Sequence, residues 1–248
     1  MLSVIIITKN EEDVIGDAVK SAKEIASEIL VIDDYSEDKT TDIAGKEGAR
    51  VIQNRFTDFS TQRNFAISLA ASDWVLYLDS DERLTPEFIE EVNEVVKNKA
   101  NEDAGGYFVR RKTFFYGKDW GFSDRVQRLF YKPNFIEWKG VLHETPVVKG
   151  QFLEIKSPIL HFTHRNLSQM VKKTNNWSEY EAQLRIKANH PKMSSLRFIR
   201  VMITGFFDSY IKQKGYKNGT EGLIEGIYQA FSMFITYAKL WEKQIGKK

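Results

Sequence analysis

At 248 residues, with 42% hydrophobic and 28% charged side chains, the chain has ordinary globular composition and the length of one large α/β domain or one domain with a tail. Lys and Arg number 36 against 34 Asp and Glu, and the resulting net charge of +2 lacks the strongly basic footprint of a dedicated nucleic-acid binder. The absence of cysteine excludes disulfides and thiolate metal sites and suits a reducing cytoplasm.

The apolar run Val4 to Ile7 is too short for a secretory signal and is followed at once by Lys9, Glu11 and Glu12. No run approaches the roughly 18 to 20 apolar residues that span a bilayer. Ser3 to Ile7 predicts a buried strand. Asn10 offers a helix N-cap, with Glu11, Glu12 and Asp13 placing negative charge in the first turn. The apolar positions Val14, Ile15, Ala18, Val19, Ala22, Ile25 and Ala26 keep one helical face. Ile29 to Ile32 is the next strand, ending at Asp33 and Asp34, and Ser36 can cap a helix carrying Thr40 to Gly45. A third strand is expected near Val51 and Ile52, and a helix opens at Gln62-Arg63-Asn64-Phe65-Ala66 with Phe65, Ala66, Leu69 and Ala70 inward.

The segment Trp74-Val-Leu-Tyr-Leu-Asp79-Ser-Asp81 then sets two carboxylates one residue apart at the end of a short continuous apolar run. Such a run is expected of a strand covered on both faces, and ligands of open α/β sheets bind at strand C-termini. Mg²⁺ takes only one or two protein carboxylates and leaves the rest of its shell to water and phosphate, so Asp-x-Asp supplies its minimum. The alternation β-α-β-α-β-α-β predicts parallel strands with Asn10, Asp33, Asp34, Asp79 and Asp81 along one edge of the sheet. Thr85-Pro86-Glu87 caps a further helix running to about Lys99. Beyond Gly105-Gly106 the rhythm changes to short aromatic strands: Tyr107 to Lys112, Gln127 to Tyr131, Glu137 to Lys139, Pro146 to Val148 and Ile159 to Phe162. From Leu167 the pattern is helical, in three segments broken near His190-Pro191 and Gly215 to Gly219.

Three ordered motifs, Ser3-Val-Ile-Ile-Ile-Thr8-Lys-Asn10-Glu11, Val31-Ile-Asp33-Asp34-Tyr-Ser36-Glu-Asp38-Lys-Thr40 and Asp79-Ser-Asp81, make the chain resemble the family 2 glycosyltransferases of GT-A fold. Gln62 to Ala66, Arg128-Leu-Phe and Val141-Leu-His143-Glu144 extend the resemblance to bacterial lipopolysaccharide inner-core heptose β-1,4-glucosyltransferases. One departure is Tyr35, where the wider family usually has Gly. The resemblance implies an α/β, Rossmann-like nucleotide-diphospho-sugar transferase fold with a mixed sheet and C-terminal helices. It divides the chain into a catalytic domain over 1–165, with a nucleotide-binding half (1–110) and an acceptor half (111–165), and a helical extension over 166–248.

By the same resemblance, the protein is an inverting transferase that uses Mg²⁺ or Mn²⁺ and moves a sugar, glucose from UDP-glucose, to a lipopolysaccharide-core heptose or related acceptor. Thr8, Asn10 and Glu11 then line the nucleoside pocket, and Asp33 or Asp34 accepts from uracil. Asp79 faces ribose and metal, Asp81 ligates the metal, and Arg63 or Arg128 neutralises phosphate. Glu144 is the expected base, and His161 a third metal ligand or a histidine satisfied within the structure. The implied location is cytoplasmic, peripheral on the cytoplasmic face of the inner membrane. Leu196 to Lys212 and Leu223 to Lys239 are apolar and aromatic with basic edges, which reads either as helices packed on the core or forming a homodimer, or as an interfacial surface meeting anionic lipid. A polyprenyl-phosphate sugar synthase is the alternative within the transferases. Outside them stand a sugar nucleotidyltransferase, whose usual Gly-rich phosphate loop is missing, and a non-catalytic nucleotide-sugar binding protein.

Overall fold

The computed structural model describes residues 1–98, 103–140 and 144–246. Strands β1 (Leu2–Thr8), β2 (Glu28–Asp33), β3 (Arg50–Gln53) and β4 (Trp74–Asp79) alternate with helices α1 (Ile15–Lys23), α2 (Thr40–Lys46) and α3 (Phe59–Leu69). β1 lies parallel to β2 and to β4, and β2 parallel to β3. These strands are apolar along their length because both faces are covered: Val4, Ile5, Ile6, Leu30, Val31, Ile32 and Val75 are fully enclosed. Alternate residues feed two cores. Val4, Ile6, Val31, Leu76 and Leu78 pack with α1 and with Phe88 and Val92 of α4 (Pro86–Lys97), whereas Ile5, Leu30, Ile32, Val75 and Tyr77 pack with Ala66 and Ile67 of α3. Thr8 stands opposite Asp33 and Ile7 opposite Asp79, so the three strands end on one edge of the sheet.

Helix starts differ from the sequence pattern in three places. α1 begins at Ile15 after Val14, with no side-chain cap; Asn10 instead adopts a left-handed φ of 53° and its side-chain oxygen accepts from Glu37 N at 2.8 Å. Ser36 does not cap α2, whose preceding residue is Lys39, because its hydroxyl is engaged by Asp33 and by the Asn10 amide. α3 starts at Phe59, earlier than its apolar pattern suggests, because Asp58 accepts from Thr61 N at 2.8 Å. α4 starts as expected, with Thr85 accepting from Phe88 N and Pro86 at the first helical position; Lys99 lies outside the described residues.

The remaining strands are β5 (Glu82–Arg83), β6 (Gly106–Phe115), β7 (Lys118–Tyr131), β8 (Phe135–Lys139), β9 (Thr145–Val148) and β10 (Phe152–Thr163). The main sheet has the order β3-β2-β1-β4-β7-β6-β10-β5, and β8 pairs antiparallel with β9. β7 is antiparallel to β4, and β5 to β10, so the sheet is mixed. Several strands outrun their apolar stretches: the first half of β7 is largely exposed and carries polar residues that hide it from a hydrophobic pattern.

Contacts group residues 1–113 with 123–162 in one compact unit and 114–122 with 163–248 in another. The second contains α5 (Leu167–Lys187), α6 (Ser195–Phe207), a π-helical turn (Asp208–Lys212) and α7 (Gly219–Ile245). Its enclosed centre is Ala182, Met193 and Leu240, flanked by Ile186, Phe198 and Tyr237. Buried Glu225 meets His164 Nδ1 at 2.9 Å. No helix among the described residues is long and apolar enough to cross a membrane.

Candidate active site

A chain of alternating charges runs past the end of β4. Glu144, just before β9, meets Arg63 of α3 at 3.1 Å, and Arg63 lies 4.0 Å from Asp79. Arg128 of β7 donates to Asp79 and, at 3.2 Å, to Glu82 of β5. Arg111 of β6 reaches Glu82 at 3.3 Å and forks onto both oxygens of Asp124, its Nε at 2.9 Å. Five elements and the loop before β9 thus deliver three arginines and four carboxylates to one network. Arg63 also lies against two aromatic rings, its guanidinium carbon 4.7 Å from the Trp138 centroid and 5.3 Å from that of Tyr77.

This arrangement pushes neighbouring carboxyls apart. Burial opposes ionisation of Asp79, but Arg128, then Arg63 and Arg111, outweigh it and hold this carboxyl well below the usual range. Burial pushes Glu82 up, with Arg128 and Arg111 pulling against it. Of the two carboxylates sharing Arg128, Asp79 is the one that keeps its charge most firmly. Glu82 has no exposed surface and also accepts from Asp79 N at 2.9 Å, so it fixes the backbone from which the Asp-x-Asp pair projects.

The loops after β1 and β2 interlock on the same edge. Asn10 N donates to Ser36 Oγ at 2.8 Å, Glu11 N to Thr40 Oγ1 at 2.8 Å, and Asp34 N to Thr8 O at 3.0 Å. Asp33 is fully enclosed, and its two oxygens accept from Ser36 N and Oγ. Asp34 is partly exposed and meets Lys9 Nζ at 2.6 Å and Phe56 N at 3.0 Å. Tyr35 between them has a φ of 49°, the left-handed conformation in which glycine is at ease, and Arg55 lies 5.6 Å from its ring centroid. The buried Thr8 hydroxyl faces this edge with no hydrogen-bond partner.

Whether a divalent cation fits is decided beside Asp81. His161 of β10 presents Nε2 to Asp81 Oδ2 at 3.5 Å, while its buried Nδ1 has no partner. Two ligands about 2.1 Å from one ion stand about 3 Å apart at right angles, so this carboxylate and imidazole are spaced to share one ion after a small adjustment. Among the described residues, no three His or acidic side chains form a cage, and such a pair leaves an open shell of the kind a phosphate-binding cation uses.

The structure brings Arg63, Asp79, Arg128 and Glu144 into one network, sets Asp81 against His161, and gathers Thr8, Asn10, Glu11, Asp33 and Asp34 at the ends of β1 and β2. His143 lies outside the described residues. Sequence reasoning missed Glu82 and Arg111. Glu82 follows Asp81 and precedes Arg83, a run of charges that reads as solvated surface, and Arg111 sits in Arg110-Arg111-Lys112, where nothing marks the middle residue as the inward one. Strand alternation from buried Val109 supplies the missing signal, since residues two apart share a face.

The model of the family described as glycosyl transferase family 2 matches residues 3–156. An uncharacterized glycosyltransferase of Rickettsia conorii is 27% identical over 266 aligned residues, covering 100% of this chain and 92% of its own length. The lipopolysaccharide core biosynthesis glycosyltransferase LpsC of Rhizobium meliloti is 25% identical over 256 residues, covering 98% and 92%. Among solved structures, the glucosyl-3-phosphoglycerate synthase of Mycobacterium tuberculosis in complex with Mn²⁺, UDP-glucose and phosphoglyceric acid is 22% identical, with a TM-score of 0.37 and coverage of 48% of this chain and 45% of that one. The match to the family model takes in β1 through β9, including every strand end that bears the charges described above, and this chain belongs to glycosyl transferase family 2.

Proposed function

We propose that the protein is an inverting glycosyltransferase that moves a sugar, glucose in the first instance, from a UDP-sugar to a lipopolysaccharide-core heptose or related lipid-linked glycan. The observation that carries this reading is the convergence of Arg63, Arg111 and Arg128 on Asp79 beside the Asp81–His161 pair. The name of the LpsC relative supports the acceptor class. In this reading residues 1–165 are the catalytic domain and 166–248 a helical extension.

Donor recognition falls to the interlocked loops. Thr8, Asn10 and Glu11 line the nucleoside pocket, and Asp34, which unlike Asp33 is not enclosed, accepts from the uracil imide N–H. Asp81 and His161 would hold Mg²⁺ or Mn²⁺, with Asp79 alongside. When bound, that cation neutralises charge developing on the diphosphate. Arg63 and Arg128 present guanidinium donors to the same oxygens. Glu144, oriented by Arg63, takes the proton of the acceptor hydroxyl as its oxygen bonds to the anomeric carbon. The bond from that carbon to the phosphate oxygen breaks on the opposite face, and UDP departs with the electron pair. Asp124 gives both of its oxygens to Arg111, whereas Glu144 meets Arg63 through Oε1, which favours Glu144 as the base.

Calorimetry with Mn²⁺ tests the donor assignment. UDP is expected to bind more tightly than GDP or ADP, and Asp34→Ala to remove most of that preference. Equal affinity for all three nucleotides contradicts the uracil contact.

A further inference from the structure

α6 carries no buried residue, although eight of its thirteen side chains are apolar. Leu196 is 79% exposed, Ile199 56%, Ile203 62% and Phe207 47%, a spacing of three and four residues that draws one stripe along the helix. The opposite face is committed. A Cβ on Gly205 would meet Met233 Cγ at 2.8 Å and Gln229 O at 2.9 Å, and one on Gly226 would meet the Phe206 ring at 3.1 Å, so α6 and α7 are pressed together there. At about 100° per residue, Gly205 stands roughly 160° to 200° round the helix from Leu196, Ile203 and Phe207 and about 120° from Ile199. The stripe therefore points away from α7.

Charge selects what covers it. Arg200 borders the stripe, about 20° beyond Phe207, and Arg197 lies about 60° further round. Between Lys192 and Lys217 the chain has six basic residues and one acidic one, Asp208, which is itself paired with Lys212 at 2.6 Å. A second copy meeting this face through a two-fold axis would bring the same cations together around the apolar stripe. An anionic lipid surface offers the complement: apolar side chains enter the acyl boundary while long basic side chains extend to the headgroups. We propose that the exposed face of α6, with Lys212, Lys214 and Lys217 beyond it, is a docking surface for an anionic membrane. The inference is independent of the sugar-transfer site.

Co-sedimentation of the full chain with vesicles of equal parts phosphatidylglycerol and phosphatidylcholine, against phosphatidylcholine alone, tests it. Binding is expected only to the anionic vesicles and should weaken as salt is raised. Arg197→Glu with Arg200→Glu should lower affinity by about tenfold or more. Ile199→Ser with Ile203→Ser should lower it comparably while melting temperature and nucleotide affinity stay as in wild type. Failure to bind anionic vesicles at low salt, or binding that both double variants retain, overturns the proposal. So does a stable dimer by sedimentation velocity that Ile199→Ser with Ile203→Ser dissolves.

Discussion

Arg63 links Glu144 to Asp79: its guanidinium meets Glu144 at 3.1 Å, lies 4.0 Å from Asp79 and rests against Tyr77 and Trp138. A base needs a fixed direction as much as a proton affinity, and for the proposed base Glu144 the 3.1 Å contact to Arg63 supplies it. Glu144→Gln keeps the shape and the hydrogen-bond acceptor but cannot take a proton. Transfer should then fall by about 10² to 10⁴ while UDP affinity stays near wild type, measured by turnover beside calorimetry. A variant that transfers normally, or that loses nucleotide instead, moves the base elsewhere. Asp79 and Asp81 are legible as candidates from the Asp-x-Asp spacing, and Glu144 from the family resemblance. Glu82 and Arg111 are not, since their importance comes from burial among opposite charges, which adjacent charged letters such as Glu82-Arg83 disguise.

At the scale of elements, the parallel half was readable because β1, β2 and β4 are buried on both faces and therefore near-continuous in apolar residues. The loops that follow them depart from the helix-cap expectation at Asn10 and Ser36. Both residue types favour helix caps, but here they bond each other across two loops, Asn10 N to Ser36 Oγ and Glu37 N to Asn10 Oδ1, each at 2.8 Å. A cap is a local signal, whereas this lock joins residues 26 positions apart. Ser36→Ala removes the acceptor for Asn10 N and a donor to Asp33. It should cost about 1 kcal/mol in urea denaturation and weaken UDP binding, because the loops proposed to hold the nucleoside lose their common anchor. Unchanged UDP affinity together with unchanged stability would show that the two loops hold their shape independently. The length of β7 escaped the pattern for a different reason: its exposed polar half lacks a buried face to impose alternation.

Across the whole molecule, the charge network ties stability to pH. Asp79, Asp124, Asp38 and Glu91 all sit below their ordinary values, burial in each case being outweighed by arginine or hydrogen-bond partners. The folded chain therefore binds fewer protons than the unfolded chain at pH values just below about 4, and stability present above that range is lost as pH falls through the depressed folded values. Glu82 acts in the opposite sense, since a raised folded value makes stability decline as pH rises through it. Urea midpoints across acid pH should show a slope that Asp79→Asn reduces; an unchanged slope would mean the arginines do not hold Asp79 ionised. The same clustering of charge at the strand ends is the proposed seat of sugar transfer, and that role is tested most directly by release of UDP from UDP-sugars with Mn²⁺, comparing wild type with Asp81→Asn. Wild type should cleave UDP-glucose in a metal-dependent reaction, and Asp81→Asn should lose about a hundredfold or more while remaining folded. Near wild-type cleavage by Asp81→Asn that EDTA does not suppress would contradict a metal-assisted role for these strand ends.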